Sequence, residues 1–483
     1  MPCAFHLDRP ERGCQFVVPD ADLIEFNGKD WCVWHLPLGC GGAESPKSHW
    51  DDARIEAFNE RVLDLVDQVK ASDKPLNLWG VVFPGPVDFR RYAGEENALP
   101  GVWFDGGMFG GRALFSKCAF SGIASFDRTT FRDGAHFDKV TFGGLALFSD
   151  ATFCTPALFD RATFAVLARF DRARLSRGAR FVRAVLHAAL FAGATFGDEA
   201  RFDEATFSGY QSSFLWARFK GLAVFRYAVF SGHVSFQEAT FDGDALFNGD
   251  PTGEGRVRAA DMFPATVEFR SANFGGRANF TNRRFLSATD FRDATFQVAP
   301  EFHDAVLSQN TRFAGTRFLD RKGTEYVDAA MAYRTLKLAM ESLRARDEEA
   351  LFYGYEQQSL RASKDTARSV KLFSWLYEKT AMYGQSFVRP VVWLLVIFAV
   401  FSLVYLATLH SGSTIAWEDG ERALRFALQQ VFQPFGAFRG SLRQSATAPV
   451  PLGLALVAAL HSLLTFAFLA LFLLALRRRF RLN

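Results

Sequence analysis

Residues 113–142 read ALFSKCAFSGIASFDRTTFRDGAHFDKVTF, and phenylalanine returns in them at Phe115, Phe120, Phe126, Phe131, Phe137 and Phe142. The spacings alternate between five and six residues, and the series runs on through Phe148, Phe153, Phe159, Phe164 and Phe170. The repeat is therefore eleven residues long. A small side chain stands two positions before most rings, as at Ala113, Ala124, Ala135, Ala146, Ala157 and Ala168. Neither the 3.6 period of a helix nor the plain alternation of a long strand fits, so each unit should be one short extended side followed by a corner. A unit with one large apolar residue cannot bury its own apolar face and must stack on its neighbours, which is the logic of a solenoid.

Working outward, Phe104, Phe225, Phe236, Phe247, Phe269, Phe280, Phe291 and Phe313 stand at multiples of eleven from Phe115. The phase slips by one residue between Leu186 and Phe191 and recovers between Phe207 and Phe214, while Leu175, Leu186 and Leu307 stand where rings are expected. The stretch from Asn248 to Asp261 keeps the phase without an interior ring, which predicts that half a coil loops out there. From Ala113 to Phe318 there is room for roughly nine coils, a rod on the order of 45 Å long at the spacing of stacked strands. Each buried ring contributes about 1.5–3 kcal/mol, ample to hold such a rod together.

The Ala-x-Phe-x-x pattern resembles the pentapeptide-repeat family. The resemblance implies a mainly β fold, a right-handed quadrilateral β-helix with four units per coil and the central residue pointing inward. Phe stands here where the family often has Leu, and a sixth residue in every second unit lengthens the coil to about 22 residues. Some soluble relatives are thought to imitate DNA with an acidic rod and so inhibit topoisomerases. This rod is mixed in sign, with fourteen Asp and Glu against fifteen Lys and Arg between Ala113 and Asp250. Together with a formal net charge of +3 over 483 residues, this makes a nucleic-acid partner an unfavoured reading.

Residues 1–50 carry the candidate metal ligands. Cys3, Cys14, Cys32 and His35 offer three thiolates and one imidazole, a set suited to closed tetrahedral zinc. Cys32-Val33-Trp34-His35 has the two-residue gap of a zinc knuckle. Cys40 could replace Cys14, and His6 or His49 could replace His35; buried thiols with a surface His are the alternative. Zinc here would be structural, since so small a segment takes its folding free energy from the metal. Comparable placements occur in membrane-linked members of the family that this chain resembles.

Within 51–75, Asp51 to Lys70 reads as an amphipathic helix with Ile55, Phe58, Val62, Leu65, Val66 and Val69 on one side, placed to cap the open edge of a rod spanning 76–320. In 321–385 the spacing turns helical, and two helices joined near Arg346-Asp347 are expected. The residues Tyr333, Arg334, Leu336 and Lys337, followed by Phe352, Tyr353 and Glu356, resemble the family's connector between repeats and membrane segments.

Residues 386–483 form a membrane unit. Val391–Leu409 and Val450–Leu476 are uncharged, mainly apolar runs long enough to cross a bilayer. Arg477, Arg478, Arg479 and Arg481 follow the second run, while Lys371, Lys379 and Arg389 precede the first. The positive-inside tendency, the even number of spans and an amino terminus without a secretory signal place both ends and the rod in the cytoplasm, at the inner membrane of a bacterial cell. Between the runs, a short helix at 422–436 reads as an interfacial amphipathic helix of an anchor or, as its resemblance to family members whose carboxyl-terminal part looks like a two-span ion channel implies, as a pore helix. The following Gln433-Pro434-Phe435-Gly436-Ala437-Phe438 lacks a potassium-selective loop. Gln429, Gln430, Gln433, His461 and Thr465 are the candidate pore residues, with His461 and Thr465 four apart on one helical face. Two helices cannot enclose a pore, so a channel would have to be a homo-oligomer.

With no Walker loop, nucleophile elbow, zincin motif or dinucleotide fingerprint, the expectation is a non-enzyme. The favoured reading is a cytoplasmic β-helix platform, fixed to the lipid bilayer, that binds a protein partner not identified by these residues. The second is an oligomeric channel or channel-like sensor regulated by the repeat domain.

Overall fold

The computed structural model describes residues 3–5, 16, 19–39, 44–70, 75–249, 262–320, 326–409, 417–432 and 452–480. The chain divides into two compact units, Met1–Thr324 and Glu325–Asn483.

In the first unit, two-residue strands follow one another round four faces and pair in parallel with the strand one coil later. Ala124 aligns with Ala146, Thr130 with Thr152, Ala135 with Ala157 and Thr141 with Thr163, so the coil is 22 residues. One face stacks ten strands, from Leu76–Asn77 to Thr289–Asp290, and another eleven, from Val82–Phe83 to Arg317–Phe318. The solenoid therefore makes about ten turns.

The alternation of five and six reflects two kinds of corner. In the five-residue unit, the residue three after the ring donates its amide to the ring residue's carbonyl, as from Cys118 to Phe115 (3.0 Å) and Thr129 to Phe126 (3.1 Å). The residue just before that donor is left-handed: Lys117, Arg128, Lys139, Asp150, Arg161, Arg172 and Arg183 have φ between 56° and 65°. An L-residue there costs about 1–2 kcal/mol, which the stacked coils must offset. Several of the six-residue corners carry glycine, as at Gly122, Gly134 and Gly144. At Gly122 a Cβ would lie 2.8 Å from the amide nitrogen of Gly101 in the preceding coil, so coils approach too closely for a side chain.

The rings form four columns. Phe104, Phe126, Phe148 and Phe170 stack face to face at 4.7–5.0 Å, and so do Phe115, Phe137, Phe159 and Phe181 at 4.8–5.0 Å. These two columns also meet edge to face, as in Phe148 with Phe159 at 5.5 Å. Leu175, Leu186 and Leu307 belong to the other two columns, where each ring has fewer aromatic neighbours. The alanines two before the rings are buried against them.

The phase slip is a corner deletion. Ala168 pairs with Ala189, one residue short, with the register shifting between Phe164 and Leu167 inside the long strand Thr163–Arg169. One coil later Leu190 pairs with Ser213, one residue long, and Tyr210 projects from that corner almost fully exposed. Across the predicted half-coil loop, Val234 pairs with Val267 and Thr240 with Asn273, 33 residues apart. Eleven residues beyond one coil are thus left out of the stack, as expected; residues 250–261 themselves lie outside the described residues.

Helix α1 (Asp52–Lys70) buries Phe58, Val62, Leu63 and Val66, and Phe58 lies edge-on to Phe83 of the first coil at 6.0 Å. Phe83 stacks on Phe109 on its other side, so α1 covers the first interior ring.

The second unit contains α2 (Tyr326–Ser342) and α3 (Arg346–Ala362), joined where expected. They form a hairpin pinned by Arg334 and Lys337 to the buried carboxylate of Glu356 at 2.8 and 2.7 Å, with Tyr333 stacked on Tyr355. The connector holds one more helix than the spacing predicts, α4 (Arg368–Ala381). Its apolar residues face outward rather than into a core, which hides it from a search for a buried stripe. Helices α5 (Val388–Leu409), α6 (Trp417–Phe432) and α7 (Leu452–Phe480) complete the unit. Helix α6 starts five residues before the predicted 422, because Glu418 and Asp419 suit the electropositive first turn; residues 433–436 lie outside the described residues.

Candidate metal centre and membrane unit

The candidate metal ligands are assembled by a hairpin and a tight turn. Strands Ile24–Phe26 and Lys29–Trp31 pair antiparallel and deliver Cys32 at their end. The amides of His35 and Leu36 then donate to the Cys32 carbonyl at 3.1 and 3.0 Å, which folds His35 back beside Cys32. The Cys32 Sγ and His35 Nδ1 atoms are 3.1 Å apart, and Cys3 Sγ is 3.8 Å from the same nitrogen. All three ligand atoms lie within 4.8 Å of one another and all three residues are buried. Zinc–ligand distances imply ligand separations of roughly 3.3–3.8 Å round a tetrahedron; the two sulfur–nitrogen distances bracket that range, and small side-chain shifts would bring the three atoms onto one ion.

The outer contacts support the same chemistry. His35 Nε2 lies 2.9 Å from the Trp79 carbonyl, which only an Nε2–H can satisfy. The lone pair is therefore on Nδ1, facing the two sulfurs, an arrangement typical of ligating histidines. Phe5 stacks on the imidazole at 4.1 Å, and the Cys32 amide donates to Cys3 Sγ at 3.2 Å. Lys47 is buried beside this turn, its Nζ donating to the Val33 carbonyl at 2.6 Å and lying 4.2 Å from the Phe58 ring centroid. Burial pulls its pKa down to about 7, and negative charge on Cys32 opposes that fall. Metal-bound thiolates would thus favour the ammonium form.

The module is fixed to the solenoid by Trp79, in the first coil, and by the Val82 amide donating to the Trp34 carbonyl at 2.9 Å. Gly80 is left-handed, φ 68°, and a Cβ there would run into the Phe5 ring. Cys14, Cys40 and His6 lie outside the described residues. His49 is at the surface, 3.0 Å from Glu44, away from the cluster.

In the second unit, which holds the two candidate membrane spans, His461 is fully buried, its Nδ1 3.2 Å from the Tyr405 hydroxyl and its ring stacked on Phe401 at 4.5 Å. Tyr405 also meets Phe426 of α6 edge-on at 4.9 Å. Thr465 is buried as well. Gln430 is buried, and its carbonyl accepts from Ser462 Oγ at 3.0 Å, which ties α6 to α7. Gln429 is half-buried, and Gln433 lies outside the described residues. The structure thus brings His461 and Gln430 into the packed contacts of three helices. Sequence spacing could not find the Tyr405–His461 pair, since its members are on different helices.

A family model for pentapeptide repeats (9 copies) matches residues 104–152 and 210–249. The unmatched stretch between them contains the corner deletion, where the repeat loses its spacing. No curated protein and no solved structure shows significant similarity to the chain.

Proposed function

We infer that this pentapeptide-repeat chain is a membrane-anchored scaffold, whose β-solenoid stands on the cytoplasmic side of the inner membrane and offers its outer faces to a protein partner. The observation that carries the anchoring is in α5 and α7. Their candidate spans, Val388–Thr408 and Leu452–Arg477, are only 11% and 17% buried although strongly apolar. A core helix of a soluble protein would be mostly covered, so these surfaces call for lipid. A solenoid with outer faces of mixed charge and no assembled catalytic group among the described residues supports a binding role. In membranes from cells expressing the full chain, the protein should stay with the pellet after alkaline carbonate washing. Release into the supernatant would overturn the anchor.

The same reading includes structural zinc held by Cys3, Cys32, His35 and, from the sequence, Cys14. The metal would cross-link the amino-terminal module to the first coil and contribute folding free energy rather than reactivity. The purified residues 1–324 should carry zinc in equimolar ratio, and Cys32→Ser should lose it. With the zinc gone, exchange protection should fall at Trp34–Leu36 and Val82 but persist in the coils around Phe159. Metal-free protein with that protection intact would exclude the role.

A second reading, an oligomeric channel, is supported by one arrangement: α6 packs against both spans, with the polar Gln430–Ser462 contact at its centre. Proteoliposomes containing the full chain should then pass ions, and Gln429→Ala or Gln433→Ala should change the conductance. A verified oligomer without flux, tested with its gate open, leaves the scaffold.

A further inference from the structure

Helix α4 is built inside out. Its inner side, toward the rest of its unit, carries Ser374, Tyr377, Glu378 and the buried Ala381, with Ser374 Oγ 3.0 Å from the Tyr383 hydroxyl. Its outer side carries Leu372, Phe373, Trp375 and Leu376, which are 56%, 69%, 47% and 40% exposed. A helix on a water-facing surface has the reverse arrangement. The outer side of α4 therefore requires apolar surroundings.

Three observations identify what supplies them. The first is continuity with a span: a left-handed turn at Met382 and Tyr383 leads from α4 into α5, where Arg389 Nη1 donates to the Glu378 carbonyl at 3.0 Å. The second is an aromatic of the interfacial type, Trp393, in the first turns of α5, whose Nε1 donates to the Lys379 carbonyl at 3.4 Å. The third is charge. Between residues 368 and 393 the bases are Arg368, Lys371, Lys379 and Arg389 and the one acid is Glu378, which is paired with Arg361. Trp393 stacks near Phe468 at 6.1 Å, so the carboxyl-terminal half of α7, with Arg477, reaches the same side.

We propose that α4 is an interfacial helix that lies in the boundary between headgroups and acyl chains, with its apolar side in the bilayer and its bases on anionic phospholipid headgroups. It rests on the anchoring reading above and goes beyond it. Apolar area and attraction to anionic lipid act together in such helices. The helix fixes the depth of the first span and makes the protein's membrane contact sensitive to lipid charge.

The test uses the full chain in vesicles of phosphatidylcholine with phosphatidylglycerol, the acyl chains brominated either near the headgroup or near the bilayer centre. The signal of Trp375 is the fluorescence difference between the wild type and Trp375→Phe, and that of Trp393 the difference from Trp393→Phe. Trp375 should be quenched, and more strongly by the shallow bromines. If Trp393 is quenched and Trp375 is not, the interfacial helix is wrong and the anchor stands. If neither is quenched, the anchor fails too. In native mass spectrometry of the full chain, Arg368→Gln, Lys371→Gln and Lys379→Gln together should cut retained phosphatidylglycerol several-fold. Unchanged retention would remove the preference for anionic lipid.

Discussion

Phe159→Ala should destabilise the solenoid by about 3–5 kcal/mol, the cost of emptying a large buried aromatic site whose walls cannot collapse. The Phe159 ring is stacked between Phe137 and Phe181 at 4.9 and 4.8 Å and meets Phe148 and Phe170 edge-on at 5.5 and 5.4 Å. Truncation removes contacts on four sides at once, while the backbone is held in place by parallel pairing to the coils above and below. Phe164→Leu offers the contrast. That ring stacks on Phe142, but its neighbour in the next coil is already Leu186, and a volume-conserving change there should cost under about 1.5 kcal/mol. Urea unfolding of residues 1–324 followed by far-ultraviolet circular dichroism measures both. Because stability in a solenoid passes from neighbour to neighbour, Phe159→Ala should also broaden the transition. Equal midpoints for the two variants would contradict the unequal columns.

Arg283→Ala should cost about 3–5 kcal/mol, from another cause. Arg283 is fully buried three residues after its ring, a position that holds alanine in other units, such as Ala228, Ala272 and Ala294. Its Nη2 donates to the carbonyls of Phe225 and Ala228 at 3.0 Å each, its Nε to that of Phe247, and its guanidinium lies 4.8 Å from the Phe263 ring centroid. In an ordinary coil the carbonyl three after a ring accepts from the coil that follows, as Ala205 does from the Val229 amide. Beside the half-coil loop, the Ala228 carbonyl accepts from the guanidinium. The Phe225 carbonyl keeps the Ala228 amide at 3.2 Å, whereas a buried carbonyl left without a donor costs about 1–3 kcal/mol. Arg283→Lys should rescue little, since an ammonium cannot reproduce the planar fork. Hydrogen exchange should locate the damage, with protection lost around Phe247, Phe263 and Phe285 and kept around Phe159. A loss confined to the ends of the rod would sink this account.

The two positions differ in how far they could be read beforehand. Phe159 was legible because a stacked solenoid demands one core residue per side, and the ring recurs at that interval whatever lies between. Alanine before the ring, the phase slip at Leu186, the half-coil loop and the two apolar runs were legible for the same reason: each is a local requirement expressed at a fixed distance along the chain. Arg283 carried only a weak signal, a charged residue in an alanine slot soon after a stretch without rings. Nothing along the chain tells which carbonyls, 36 to 58 residues away, it serves.

Helix α4 shows the limit in another way. Its apolar residues were present in the sequence, but a periodic stripe is equally consistent with a buried face and with one turned to lipid. Only the packing of Ser374, Tyr377 and Ala381 inward distinguishes them. The candidate metal cluster lies between these cases: the sequence proposed Cys3, Cys32 and His35 as ligands, and the fold brought Cys3 to the Cys-x-x-His pair and added the Trp79 carbonyl beside the imidazole.

By itself, then, the sequence determined the repeat length, the core residue of each side and the apolar spans, because those follow from the period of burial along one chain. The tertiary structure alone decided the left-handed corners, the carbonyls met by Arg283, the Tyr405–His461 contact and the outward side of α4, because these depend on which distant atoms become neighbours once the coils and helices are stacked.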